Sequence, residues 1–116
     1  MADWVPEAHH EAFPGVLNGG IIGALLDCHS NWTAAWHFAT RDGLDKPPTT
    51  VTAEFHVKLE KPTPSTQPVH LRAHVAESTR RRAIVEATLE SGGGVTATCR
   101  GVFVSVADGH IAANRR

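Results

Sequence analysis

The chain lacks almost every feature that would tie it to a partner of extreme character. Eleven Lys and Arg stand against twelve Asp and Glu, for a formal net charge of −1. That balance gives no reason to expect nucleic acid or a membrane surface as partner. No apolar run comes near the length needed to span a bilayer. The opening Met-Ala-Asp-Trp has neither the charged nor the apolar region of a signal peptide. Two cysteines, Cys28 and Cys99, make no disulfide framework. These absences together predict a cytoplasmic protein with both thiols free. No repeat, linker or change of composition divides the 116 residues, so one domain over 1–116 with a single core is expected.

What the chain does have is concentrated near its start. Asn18-Gly19-Gly20 opens the run Ile21-Ile22-Gly23-Ala24-Leu25-Leu26, which ends on Asp27. Apolar residues Ile22, Leu25, Leu26, Trp32 and Trp36, with His29, recur at helical spacing, so a helix from about Gly19 to Phe38 is predicted with Asn18 as N-cap. Asp27 then lies two turns inside an apolar helix. Burying a carboxylate there costs on the order of several kcal/mol unless it is paired, shifted in pKa or used. The two glycines leave the helix N-terminus bare, and its unpaired N–H groups are able to hold an oxygen of a substrate. The pair suggests a polarised carbonyl and a carboxylate that acts on it.

The rest of the chain reads as strands. Residues 1–17 look irregular apart from a short strand at Asp3–Val5. A loop through Arg41-Asp42-Gly43 and Lys46-Pro47-Pro48 leads to Val51, Ala53, Phe55, Val57 and Leu59, which alternate with polar residues as in a half-buried strand ending before Pro62. Val69 to Val75 and Val85 to Leu89 form two more. A turn at Ser91–Gly94 leads into Val95 to Val106, apolar on both faces near its end. One long apolar helix and four consecutive strands bury their faces only against each other. The expected fold is α+β, an antiparallel sheet curled around one helix.

The segment Phe13-Pro14-Gly15-Val16-Leu17-Asn18-Gly19-Gly20-Ile21-Ile22-Gly23-Ala24-Leu25-Leu26-Asp27-Cys28-His29 resembles the helix-opening motif of the hotdog-fold acyl-CoA thioesterases, and most closely their phenylacetate-pathway-like group. That family carries His-Gly-Gly, or Asn-Gly-Gly in some members, with an Asp eight residues after the first glycine. Gly19 and Asp27 have that spacing. Val51 to Leu59, closed by Lys61-Pro62, is similar to the strand that follows the helix in the family. The resemblance spans Pro6 to Ala107. It implies the hotdog fold, hydrolysis of an acyl-CoA to a free acid and CoA, and a homodimer or dimer of dimers with sites at the subunit interface. Two departures stand out. Asn18 replaces the His of many members, and Ala12 falls where some relatives place an Asn. Relatives also begin with a longer first strand than the residues before Trp4 provide.

Spacing gives the dimer a second argument. Eight residues of helix rise about 12 Å, so Gly19 N–H and Asp27 of one chain cannot both reach one carbonyl. If both act on one thioester they come from different chains, as in a two-fold dimer with two equivalent sites. The Gly19 N–H then stabilises the developing oxyanion. Asp27 of the partner either activates water or attacks to form an anhydride. Thr52, at a position that bears a hydroxyl in some relatives, is expected to orient the water or the carboxylate. Asn18 and Gly20 are expected at the substrate. Gly20, Gly23, Ser30 and Ala34 are expected on the Asp27 side, leaving room for an acyl chain or a close partner. In an acyl-CoA enzyme Arg80, Arg81 and Arg82, with Lys58 or Lys61, would meet the nucleotide phosphates.

Other constellations carry less. Cys28 and His29 are adjacent on a helix and point about 100° apart, which argues against a cysteine hydrolase. His70 and His74 share a strand face about 13 Å apart, too far for one ion, and His9-His10 has no partner set; no metal or cofactor is expected. Trp32 and Trp36 are expected as core or interface anchors. A hotdog hydratase or dehydratase would pair a His with an acid, and no His opens this helix. A non-catalytic acyl-CoA sensor would keep the pocket and lose the carboxylate, which is present. Acyl length, and CoA against acyl carrier protein, stay open.

Overall fold

Asn18 sets where the helix begins. Its backbone is extended (φ −67°, ψ 136°) and its side-chain oxygen accepts from the Gly20 N–H at 2.7 Å, which satisfies a donor the first turn cannot. In the computed structural model, which describes residues 2–106, the helix α1 runs Gly19–Asp42. It stops at Gly43, whose φ of 67° is left-handed and costs glycine no strain. The sequence reading ended this helix at Phe38 and made a loop of Arg41-Asp42. The added turn is held from a distance. Arg41 lies over the Phe38 ring, 5.0 Å from its centroid, and donates to the carbonyl oxygens of Thr79 and Arg80 at 2.6 and 2.8 Å.

Seven strands accompany the helix: β1 (Ala2–Trp4), β2 (Glu11–Phe13), β3 (Val16–Leu17), β4 (Thr49–Leu59), β5 (Val69–Ser78), β6 (Arg82–Ser91) and β7 (Gly94–Val106). Five form one antiparallel sheet in the order β1-β5-β6-β7-β4. The helix lays a stripe of every fourth residue, Ile22, Leu26, Ser30, Ala34 and Phe38, against it. One core cluster joins Leu17, Ile22 and Leu26 to Val69, Leu71, Leu89 and Ala97. A second joins Ala34 and Phe38 to Ala83, Val85 and Phe103. This is the α+β, helix-in-sheet hotdog architecture expected from the sequence. The predicted turn after Ser91 is a two-residue hairpin at Gly92-Gly93, with φ positive at both.

The first seventeen residues are more ordered than read. β1 begins one residue before the expected Asp3 and pairs with β5 through Ala2, Asp3 and Trp4. A short 3-10 turn, Ala8–His10, leads into the β2–β3 hairpin. Glu11 ties that hairpin down, accepting from the Gly15 N–H at 2.7 Å and from the Ser65 hydroxyl. Those two donors, Ser65 first, hold its carboxyl below the usual range. Strands of two and three residues are too short to show alternation, so nothing in the pattern announced them.

β4 departs from expectation in a way that shapes the site. Its alternating Val51, Ala53, Phe55, Val57 and Leu59 predict one half-buried face. In the structure Thr52 pairs with Phe103 and Glu54 with Val102, so Ala53 is a bulge that reverses the alternation. Thr50 and Thr52 face the helix before the bulge; Phe55, Val57 and Leu59 face it after. β4 is also an edge strand, and only Thr50 and Phe55 are even partly buried. No helix of the described residues is long and apolar enough to cross a membrane.

Candidate active site

The bulge and the helix bring together the two residues that the sequence placed 25 positions apart. The Thr52 hydroxyl donates to Asp27 Oδ1 at 2.9 Å. Asp27 is half-buried in the single chain, not buried as its apolar surroundings predicted, because the edge strand it faces leaves one side open. One turn further, Asn31 makes a second rung that sequence reasoning missed. Its side-chain oxygen accepts from the Thr50 hydroxyl, and its amide donates to the Thr50 carbonyl at 3.4 Å. Spacing of i, i+4 on the helix and i, i+2 on the strand is the signal that would have found it.

Gly19 stands at the other end of β4. It is exposed, and a Cβ built on it would come 3.3 Å from Leu59 Cδ1, so the bare backbone leaves a notch beside that leucine. Gly20, whose N–H is taken by Asn18, offers no free donor there; the geometry makes Asn18 the cap. Gly23, midway between Gly19 and Asp27, has nothing within 4 Å of where its Cβ would be.

Two expectations about this surface hold only in part. Ser30 and Ala34 leave no room for an acyl chain: both are fully buried against the sheet, Ser30 in contact with Cys99 at 3.6 Å between Oγ and Sγ. Trp32 and Trp36, expected as core or interface anchors, are not in the core, which leaves the interface. They are 59% and 52% exposed and stack on each other with ring centroids 6.5 Å apart, on a face turned away from the sheet.

Arg80, Arg81 and Arg82 are not brought to either Gly19 or Asp27 of their own chain. Arg80 and Arg81 lie in the β5–β6 turn and Arg82 opens β6, at the C-terminal end of α1, where Arg41 donates to the Arg80 carbonyl and the Arg81 carbonyl accepts from Ser105 N–H at 2.8 Å. All three side chains are exposed. Lys58 is 3.7 Å from Glu60, and Lys61 lies across Gly94, its Nζ 3.1 Å from where a Cβ would be. Neither points to the helix N-terminus.

The other titratable groups fall outside this constellation. Burial holds the His29 imidazole below its ordinary value and pushes the Cys99 thiol up. Cys28 is exposed. His70 sits 2.5 Å from Asp3 and His74 3.3 Å from Glu86, each in its own cross-strand pair. Among the described residues no group of three or more His, Cys, Asp or Glu converges as a metal site would require.

The sequence profile of the thioesterase superfamily matches residues 14–98, which contain Gly19, Asp27 and Thr52. A thioesterase superfamily protein from Shewanella loihica PV-4 is 30% identical, with a TM-score of 0.75 over 90% of this chain and 81% of its own. A Bacillus halodurans protein solved with CoA has the same fold at 21% identity, with a TM-score of 0.75 over 90% of this chain and 69% of its own. So does a phenylacetic acid degradation-related protein from Ralstonia eutropha JMP134, at 20% identity and a TM-score of 0.72 over 88% and 72%. No curated protein matches the chain in sequence.

Proposed function

This chain belongs to the thioesterase superfamily, and from that premise we propose that it is an acyl-CoA thioesterase whose sites form between two copies of the chain. The observation that carries the reading is the Asp27 carboxylate, held half-exposed by Thr52 on the open side of the helix whose first N–H is at Gly19. Nothing in the core needs an acid at that place, and the hydroxyl presents one oxygen while leaving the other free.

The contacts at the two ends of β4 support the dimer. Leu59 abuts Gly19 at one end, and Thr52 bonds Asp27 at the other. A two-fold axis beside Phe55 and His56 would set the Leu59 end of one strand against the Thr52 end of its partner. Gly19 of one protomer would then face Asp27 of the other, with the open Gly23 near the axis. The edge strand would gain the backbone pairing it lacks.

In this arrangement the thioester oxygen accepts from the Gly19 N–H at the positive end of the helix dipole. Asp27 of the partner removes a proton from water, which attacks the carbonyl carbon; the tetrahedral intermediate collapses, the C–S bond breaks, and the departing CoA sulfur takes that proton back from Asp27 and leaves as thiol. Direct attack by the carboxylate, forming an anhydride that water then opens, uses the same geometry. CoA is favoured as carrier by the CoA-bound relative from Bacillus halodurans.

The test is thiol release from acetyl-, hexanoyl-, palmitoyl-, phenylacetyl- and benzoyl-CoA by wild type and Asp27→Asn. Turnover of any of these, lost by about 100-fold or more in a variant that keeps its oligomeric state, is the expected result. Full activity in the variant would make Asp27 a structural residue. Binding of acyl-CoA without hydrolysis by either protein would turn the reading to a sensor.

A further inference from the structure

Leu59 is the residue of this surface that no motif singles out. It is 54% exposed on an edge strand, yet it is not a stray surface leucine. Its side chain leans on the first residue of α1 closely enough that even a methyl group at Gly19 would meet it at 3.3 Å. The Ala53 bulge turns Leu59 toward the helix, with Val57, 37% exposed, behind it on the same strand face. A carbonyl that accepts from the Gly19 N–H therefore carries its substituent along an apolar wall.

The cations nearest that wall in the same chain are turned to other groups. Asp27 is the acidic side chain of the proposed site. Lys58 turns to Glu60, Lys61 lies across Gly94, and Arg80, Arg81 and Arg82 sit at the far end of the helix. A carboxylate on the acyl chain would meet apolar side chains and a second carboxylate, with no cation among the described residues of the same chain turned toward it.

Resting on the thioesterase reading, we propose that Leu59 is a specificity-determining residue: it selects acyl groups that are apolar and unbranched next to the thioester and turns away those of dicarboxylic acids. Leu59 makes no bond to the reacting atoms. It acts by filling the space beside the carbonyl, so it governs which acyl group reaches the oxyanion position.

The experiment compares butanoyl-, isobutanoyl- and succinyl-CoA on wild type, Leu59→Ala, Leu59→Met and Leu59→Arg. Calorimetric binding of S-butyl-CoA and S-(3-carboxypropyl)-CoA, which cannot be hydrolysed, is measured alongside. Wild type and Leu59→Met are expected to favour butanoyl over succinyl by about 100-fold or more in kcat/KM. Leu59→Arg should shrink that ratio about tenfold or more, and Leu59→Ala should raise isobutanoyl relative to butanoyl by about tenfold, mostly through KM. Equal use of succinyl- and butanoyl-CoA by wild type, or an unchanged profile in both Leu59→Ala and Leu59→Arg, overturns the proposal. Failure of the thioesterase reading looks different. No thioester is then cleaved, while the two thioether analogues still report the wall: a preference for S-butyl-CoA that Leu59→Arg erases upholds it, and equal binding removes it.

Discussion

The sharpest perturbation of the proposed site is Gly19→Pro, because it removes one hydrogen-bond donor and little else. Proline is welcome at the first position of a helix, where its missing N–H breaks no backbone bond and its fixed φ already suits the helix. It also demands an extended residue before it, and Asn18 already has φ −67° and ψ 136°. The new Cβ meets Leu59 Cδ1 at 3.3 Å, a contact an exposed leucine relieves by a small rotation. The variant is therefore expected to fold, keep its capping bond from Gly20 N–H to Asn18, and lose the oxyanion donor. Loss of one such donor lowers kcat by about 100- to 1000-fold.

Combined with Asp27→Asn, this substitution tests where the two halves of the site come from. Each variant alone is expected to be nearly inactive. In a refolded equal mixture about half of the dimers carry one chain of each kind. If Gly19 and Asp27 of different chains share a site, each mixed dimer has one intact site and one doubly altered one. The mixture then recovers about a quarter of wild-type activity, half the dimers times one site in two. Thiol release from the best acyl-CoA of the panel, measured on the mixture and on each parent, is the assay. A mixture no more active than its parents, with mixed dimers demonstrated by native mass spectrometry, would refute the shared site and the axis beside Phe55 and His56.

Three further outcomes are expected. Thr52→Val removes the 2.9 Å bond to Asp27; on an exposed pair this should cost stability less than about 1 kcal/mol but lower kcat about three- to tenfold with KM nearly unchanged, and steady-state kinetics that show a rise in KM alone would contradict the positioning role. Gly43→Ala forces a side chain onto a φ of 67° and should cost about 1 kcal/mol, read as a lower midpoint in urea with unchanged slope. His29 is held below its ordinary pKa of 6.5 by burial, so the unfolded chain binds its proton more readily; stability is expected to fall as pH drops below 6.5, and His29→Gln should flatten that part of the profile.

The helix and the position of its candidate site were legible because they are local. Asn18, Gly19 and Asp27 lie within ten residues of each other, and a cap, a bare N-terminus and an acid in an apolar helix each have a physical meaning at short range. What the sequence hid were features set by contacts far along the chain. The last turn of α1 depends on Arg41 reaching the β5–β6 turn, the burial of Ser30 depends on Cys99, and the reversal at Ala53 depends on how β4 pairs with β7. Periodicity assumes that a strand keeps one phase. A single extra residue breaks that assumption without leaving a mark in composition.

That extra residue is also what makes β4 serve two ends. Without a bulge, Thr52 and Leu59 would point to opposite faces of the sheet, since they are an odd number of positions apart. With it, both turn toward α1, one against Asp27 and the other against Gly19. The strand that carries them is long, at the sheet's edge, and almost wholly exposed, with the side chains of Val51, Val57 and Leu59 accessible in the single chain. Such an edge invites pairing with another strand, and natural sheets leave one open at the risk of aggregation. Separately, the rise of the helix keeps Gly19 and Asp27 of one chain too far apart to share a carbonyl. The demand for backbone partners and the proposed demand for a complementary catalytic group thus fall on one surface, and a second copy of the chain would meet both at once.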